Sequence, residues 1–156
     1  MSANPKTRRN ARLASVQALY QMDISSEPVR MVIRQFIDHR FAEQTSSHGP
    51  VDQEHFEIIV EGVVKAQKEI DNEVSLHLSK KWSLSRLHKT LRAVMRASTF
   101  ELLHRPDVPA LVIIDEYVAI AREFFEDKEA AFVNGALDRL ARKHRASEFG
   151  VTASHG

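Results

Sequence analysis

The sequence predicts an all-α fold. Apolar residues recur at three- and four-residue spacing along nearly the whole chain, the period of one helix face. No stretch shows the apolar/polar alternation of a half-buried strand. Only five glycines and five prolines interrupt the 156 residues, and most fall where a helix would end. The hydrophobic fraction of 43% is ordinary for a globular protein and enough to bury a core without covalent staples. The length suits one domain, or two small subdomains sharing a core.

The first helix is predicted over about residues 7–22. On the helical wheel Leu13, Val16, Leu19 and Tyr20 form an apolar wedge, and Arg9 and Arg12 continue the same stripe toward the N-terminus. Lys6 and Arg8 add to the positive charge, and no acid precedes Asp23. A helix N-terminus is already partly positive, so cations crowded there suit an arriving anion, and phosphate matches both arginine forks and free backbone N–H groups. The alternative is a solvated, partly disordered basic arm. Arg9 and Arg12 are expected to lie beyond the buried wedge, so that replacing both leaves the fold intact.

Ser25-Ser-Glu-Pro28 reads as a break, with Pro28 suited to a first helical turn. A second helix is expected from Val29 to about Glu43, carrying Val32, Ile33, Phe36, Ile37 and Phe41. Thr45 to Pro50 reads as a mobile loop. A long helix is expected from about Asp52 into the seventies, with Phe56, Ile59, Val60, Val63 and Ile70 inward, ended by Lys80-Lys81-Trp82. Ser83 would cap a short helix over residues 84–89, and Thr90 the next, with Leu91, Val94, Met95, Ser98 and Leu102 at helical spacing. Arg105-Pro-Asp-Val-Pro109 is a stiff connector. A helix over residues 111–125 follows, with Ile113, Ile114, Tyr117, Val118 and Ala121 inward. Asp127 would cap the last helix, whose core side is Val133, Ala136, Leu137 and Leu140. Residues 147–156 read as a disordered tail, leaving 1–146 as the folded domain.

Several function classes fall away. The chain has no cysteine, which removes disulfides, thiol catalysis and cysteine-ligated zinc and suits a reducing cytoplasm. No apolar run approaches a membrane span, and no secretory leader is visible. There is no glycine-rich phosphate loop, no nucleophile elbow and no zincin motif. The eight histidines are scattered without ligand spacing. The expectation is therefore a non-enzyme with no cofactor and no metal. The net charge of +1 hides basic blocks at residues 1–22, at 80–96 and at Arg139, Arg142, Lys143 and Arg145. Such blocks present a positive face to nucleic acid, or merely lie on solvated helix sides.

Phe132 falls about a quarter-turn from the centre of its helix's core face. A rim aromatic near arginines can stack on an unpaired base, or it packs under the preceding loop against Phe124 or Phe125. Trp82 invites the same two readings. Gly135, inside a helix, costs about 1 kcal/mol relative to alanine, which a close-approaching backbone or partner would explain.

Five short stretches resemble one family. Arg8-Arg-Asn-Ala-Arg12 followed by Val16-Gln-Ala-Leu-Tyr20, and Phe132-Val-Asn-Gly-Ala-Leu-Asp-Arg139, are similar to the opening and closing motifs of the NusB family of bacterial transcription antitermination factors. Arg92-Ala-Val-Met-Arg96, Glu101-Leu102 and Asp107-Val-Pro109 resemble its middle signature, and the likeness spans about residues 7–143 in order.

The resemblance implies six to seven helices in two small bundles sharing a core, about 1–80 and 81–146. It implies binding of single-stranded boxA RNA from ribosomal RNA leaders together with NusE, the small-subunit ribosomal protein. That pair would join RNA polymerase and other Nus factors in the elongation complex. Carried over by position, the RNA-binding residues are Lys6, Arg8, Arg9, Arg12, Arg92 and Phe132. Three positions depart from the usual pattern. Asn10 stands in place of a third arginine, Leu91 in place of a frequent acid, and Lys128 at an often acidic site. The free chain is a monomer or a homodimer, and the residues touching the partner are unassigned.

Two other readings stand beside this one. The same helical fold serves as the RNA-binding part of certain rRNA cytosine methyltransferases, against which stand the missing cofactor loop and cysteine. A helical adaptor that binds only protein is the third.

Overall fold

In the computed structural model, which describes residues 5–41, 49–78 and 83–150, the first helix is longer and far more enclosed than its wedge suggests. Helix α1 runs Pro5–Ser25, starting on a proline whose missing N–H costs nothing in a first turn. Every residue from Asn10 to Val16 is buried. The reason lies in the small residues Ala11, Ala14, Ser15 and Ala18, which look neutral on a wheel but let neighbours approach from several sides. Helices α3 (Gln53–Lys65) and α5 (Lys89–His104) pack along α1, and α2 (Val29–Gln35) and α6 (Ala110–Phe124) also touch it. Tyr20, expected in the wedge, is instead 36% exposed.

The second helix is shorter than expected and continues as a wider π-helical turn, Phe36–Phe41. There Phe36, Phe41 and Phe56 of α3 form a ring cluster with centroids 4.9–6.2 Å apart. The long helix expected after Asp52 divides at Ala66 into α3 and α4 (Gln67–Leu76). Backbone hydrogen bonds continue across the break, from Ala66 to Gly62 and from Ile70 to Ala66, so it is a bend rather than a loop. The bend lets α4 pack on α5 while α3 stays against α1. Gly62 is required where α3 meets α5: a Cβ there would lie 2.1 Å from the Phe100 ring.

A 3-10 turn, Leu84–Arg86, leads into α5. The helix starts one residue before Thr90, capped by the His88 ring, whose Nδ1 accepts from the Thr90 N–H at 3.1 Å. Helices α6 and α7 (Asp127–His144) then pack as a hairpin, with Val133, Ala136, Leu137 and Leu140 all fully buried as expected.

The expected tail is corrected for its first residues. Ala146–Phe149 form a 3-10 turn, Phe149 packs on the core, and the Glu148 carboxylate accepts the Ala110 N–H at 2.8 Å, capping α6 from the far end of the chain. Residues 151–156 lie outside the described residues, as do Thr45–His48 of the expected loop and the Lys80-Lys81-Trp82 segment. The described residues form seven α-helices and no strand, the all-α class expected. No helix among them is long and apolar enough to cross a membrane.

Candidate nucleic-acid interface

Two consecutive turns of α1 send their arginines to different fates. Arg12 faces inward and its side chain is 3% exposed. Its Nε donates to Glu101 Oε2 at 2.8 Å and its Nη2 to Oε1 at 3.0 Å, a bidentate fork. His55 Nε2 lies 3.2 Å from the same carboxylate, and the Tyr117 hydroxyl donates to it at 2.5 Å. Glu101 is therefore a buried acid held by α1, α3 and α6 at once. Burial alone would raise its pKa, but the hydrogen bonds from His55 and Arg12 and their charges outweigh this and hold it at about 2. Burial also pushes the Tyr117 hydroxyl well above its usual range, so it stays a donor.

This corrects two expectations. Arg12 does not lie beyond the buried wedge but inside the core, and replacing it does not leave the fold untouched, because its loss strands Glu101 there. A wheel built on large apolar residues missed this. The usable signal was Glu101, an acid three residues after Ser98 on the apolar stripe of α5. A buried acid requires a buried base.

Arg9, one turn earlier, is 58% exposed. It forks onto Glu116 of α6, Nε to Oε1 at 3.0 Å and Nη2 to Oε2 at 2.8 Å, and this contact raises its pKa further. Glu116 is 14% exposed and also lies 3.9 Å from Arg12. Arg8 points to the other side of α1, with its Nε 3.6 Å from Asp52. Lys6 is exposed in the first turn of α1. Asn10 is buried, and its amide donates to the Pro50 carbonyl at 2.8 Å, tying the 49–50 segment to α1. At this position the departure from a third arginine serves packing.

Arg92 stands apart from this group. Its guanidinium donates twice to Asp23 Oδ2, at 2.9 and 2.8 Å, and to the Leu84 carbonyl at 3.2 Å. Asp23 is about 21 Å along α1 from Arg9 at the usual rise per residue. With 11% exposure, Arg92 is a clamp between α5, α1 and the 3-10 turn, a place in the scaffold rather than beside Arg9. Leu91 beside it is a core residue, 1% exposed.

Phe132 is half-buried on α7, packed against the core, which is the rim position expected. At Gly135 an added Cβ would meet the Arg139 guanidinium at 3.4 Å, and no backbone of another element among the described residues lies within 4 Å. Lys128 is exposed near the start of α7. The third basic block also divides. Arg145 is buried and gives its donors to the carbonyls of Glu101, Leu102, Arg105 and Val108 and to Glu148. Arg142 pairs with Asp138, and Lys143 and His144 share Glu73. No cluster of three or more metal-ligating side chains occurs among the described residues.

A family model described as the NusB family matches residues 9–142. The chain is 47% identical over 146 residues to the transcription antitermination protein NusB of Maricaulis maris, which covers 92% of this chain and 91% of that protein. To its Caulobacter vibrioides counterpart it is 47% identical over 148 residues, 93% and 99% of the two chains. The solved NusB of T. maritima superposes with a TM-score of 0.77 at 31% identity, over 97% of this chain and all of that one. A chain from a complex of the antitermination factors NusB and NusE with double-stranded RNA superposes with a TM-score of 0.73 at 21% identity, over 86% of this chain and 96% of that one, a likeness of fold.

Proposed function

The chain belongs to the NusB family of transcription antitermination proteins, and on that premise we propose that it binds single-stranded boxA RNA through the α1 N-terminus and the rim of α7, together with NusE. Its work is binding, with no catalytic step. The reading is narrower than the sequence suggests. Lys6, Arg8 and Arg9 supply phosphate contacts and Phe132 a stacking face, while Arg12 and Arg92 hold the scaffold behind them. The observation that carries it is the division of α1: its exposed first turns hold cations, and the turns that follow are locked into the core. A mobile phosphate-binding arm needs no such anchoring, whereas a surface that must present cations at fixed positions does. Few phosphate contacts give modest intrinsic affinity, so tight recognition draws on NusE, and the pair acts within the RNA polymerase elongation complex with other Nus factors.

The test is a competition titration. A labelled single-stranded boxA RNA is bound with and without NusE and challenged with a scrambled single strand and with a duplex of the same sequence. The reading expects the boxA strand to win against both, with the preference sharpened by NusE. Equal competition by all three would leave only a general polyanion surface. No RNA binding at low salt, with NusE still bound, would favour the protein-only adaptor.

A further inference from the structure

Glu116 sits beneath the most exposed arginine of the proposed surface. Its two carboxylate oxygens receive both the Nε and an Nη2 hydrogen of Arg9, at 3.0 and 2.8 Å. The acid is mostly covered, at 14% exposure, while the arginine over it is 58% exposed. Arg12 lies on its other side at 3.9 Å, and Arg12 is itself locked to buried Glu101 at 2.8 Å. The core thus fixes Arg12, Arg12 helps fix Glu116, and Glu116 fixes Arg9. The carboxylate sits between two guanidiniums, hydrogen-bonded to one and 3.9 Å from the other. A phosphate meets the outer edge of a guanidinium whose charge is already matched at hydrogen-bond distance.

We propose that Glu116 competes with RNA phosphate for Arg9 and keeps the lone chain a weak RNA binder. The inference rests on the reading of Arg9 as a phosphate contact. Stacking on Phe132 and contacts made with a partner are untouched by this competition, so the acid shifts the balance of recognition away from charge and toward those terms. A surface tempered in this way gains most when a second protein adds its own contacts.

The experiment compares wild type, Glu116→Gln, Arg9→Ala and the double variant. Fluorescence anisotropy follows binding of a short labelled single-stranded boxA RNA and a scrambled strand over a range of KCl concentrations. Glu116→Gln should tighten both strands by about two- to fivefold at low salt, the scale of one exposed ion pair. Its plot of log K against log salt should steepen by up to about 0.7, one phosphate's share on a single strand. The gain should vanish when Arg9 is already alanine. Thermal melts confirm that the variants fold, and Glu116→Ala repeats the measurement if the amide disturbs α6. Unchanged or weaker binding by both Glu116 variants, with Arg9→Ala still weakening, overturns this inference alone, because Glu116 then orients Arg9. A gain that survives without Arg9 also overturns it, since the effect is then general charge. If Arg9→Ala leaves affinity unchanged, the reading of the surface fails, and this inference with it.

Discussion

A buried arginine and an exposed one, three positions apart on one helix, do opposite work with the same side chain. Arg12 spends its fork on Glu101 in the core, and Arg9 spends part of its fork on Glu116 and keeps the rest for solvent. Residue type and charge alone do not distinguish them; the surrounding small residues do. The rim placement of Phe132 was legible in the sequence, because its quarter-turn offset from the core face is a geometric quantity. Its ring is half-buried at the rim of the core, and base stacking on an aromatic side chain is worth about 1–3 kcal/mol. Phe132→Ala should therefore weaken binding of single-stranded boxA RNA by that amount, measured by anisotropy at fixed salt. Phe132→Tyr, which keeps the ring, should restore most of it. Equal affinity for the alanine variant would mean that the ring serves packing only.

At the scale of elements, the C-terminal end of α5 is the join that holds the fold together. Its last turn leaves carbonyls that the helix itself cannot satisfy, although the Glu101 carbonyl accepts the Arg105 N–H. Arg145, arriving from the end of α7, answers them with bonds to the carbonyls of Glu101, Leu102 and Arg105, and with a bond to Val108 in the connector. Three helix ends meet at one guanidinium, and Glu148 beside it caps α6. Removing it takes the donor from the buried carbonyls of Leu102 and Val108, each costing about 1–3 kcal/mol, while those of Glu101 and Arg105 keep the N–H groups of Arg105 and Val108. Arg145→Ala should destabilise the protein by about 3 kcal/mol or more in urea unfolding, and Arg145→Lys should recover little, since an ammonium lacks the planar fork. A loss below about 1 kcal/mol would show that water replaces the clamp, by the same accounting of unpaired groups. This join was hidden in the sequence because Arg145 falls in a basic run that reads as solvated. The bend at Ala66 was hidden too. Alanine is the best helix former, and the reason to turn there is the pull of α5 on Ile70 and Val74.

Across the whole molecule, the helical class and the core faces of α3, α6 and α7 were legible because they follow from a period that large apolar side chains display. The interior of α1 was not, because alanine, serine, asparagine and arginine carry no such signal, yet α1 is the helix the others close upon. The polar hub of Arg12, Glu101, His55 and Tyr117 joins α1, α3, α5 and α6 in the centre of the core. It turns the first helix into a fixed platform for the cations at its start. On the proposed function, the arginine-rich opening divides into a fold-holding half and an RNA-holding half. The direct test is to place Arg9→Ala and Arg12→Ala side by side, measuring unfolding free energy and boxA RNA affinity for each. Breaking a buried pair costs about 3–5 kcal/mol, so Arg12→Ala should lose stability on that scale. Arg9→Ala should lose less than about 1 kcal/mol of stability while binding RNA more weakly and with a shallower salt dependence. If Arg12→Ala is as stable as wild type and loses RNA affinity as Arg9→Ala does, the two arginines form one surface stripe and the division is wrong.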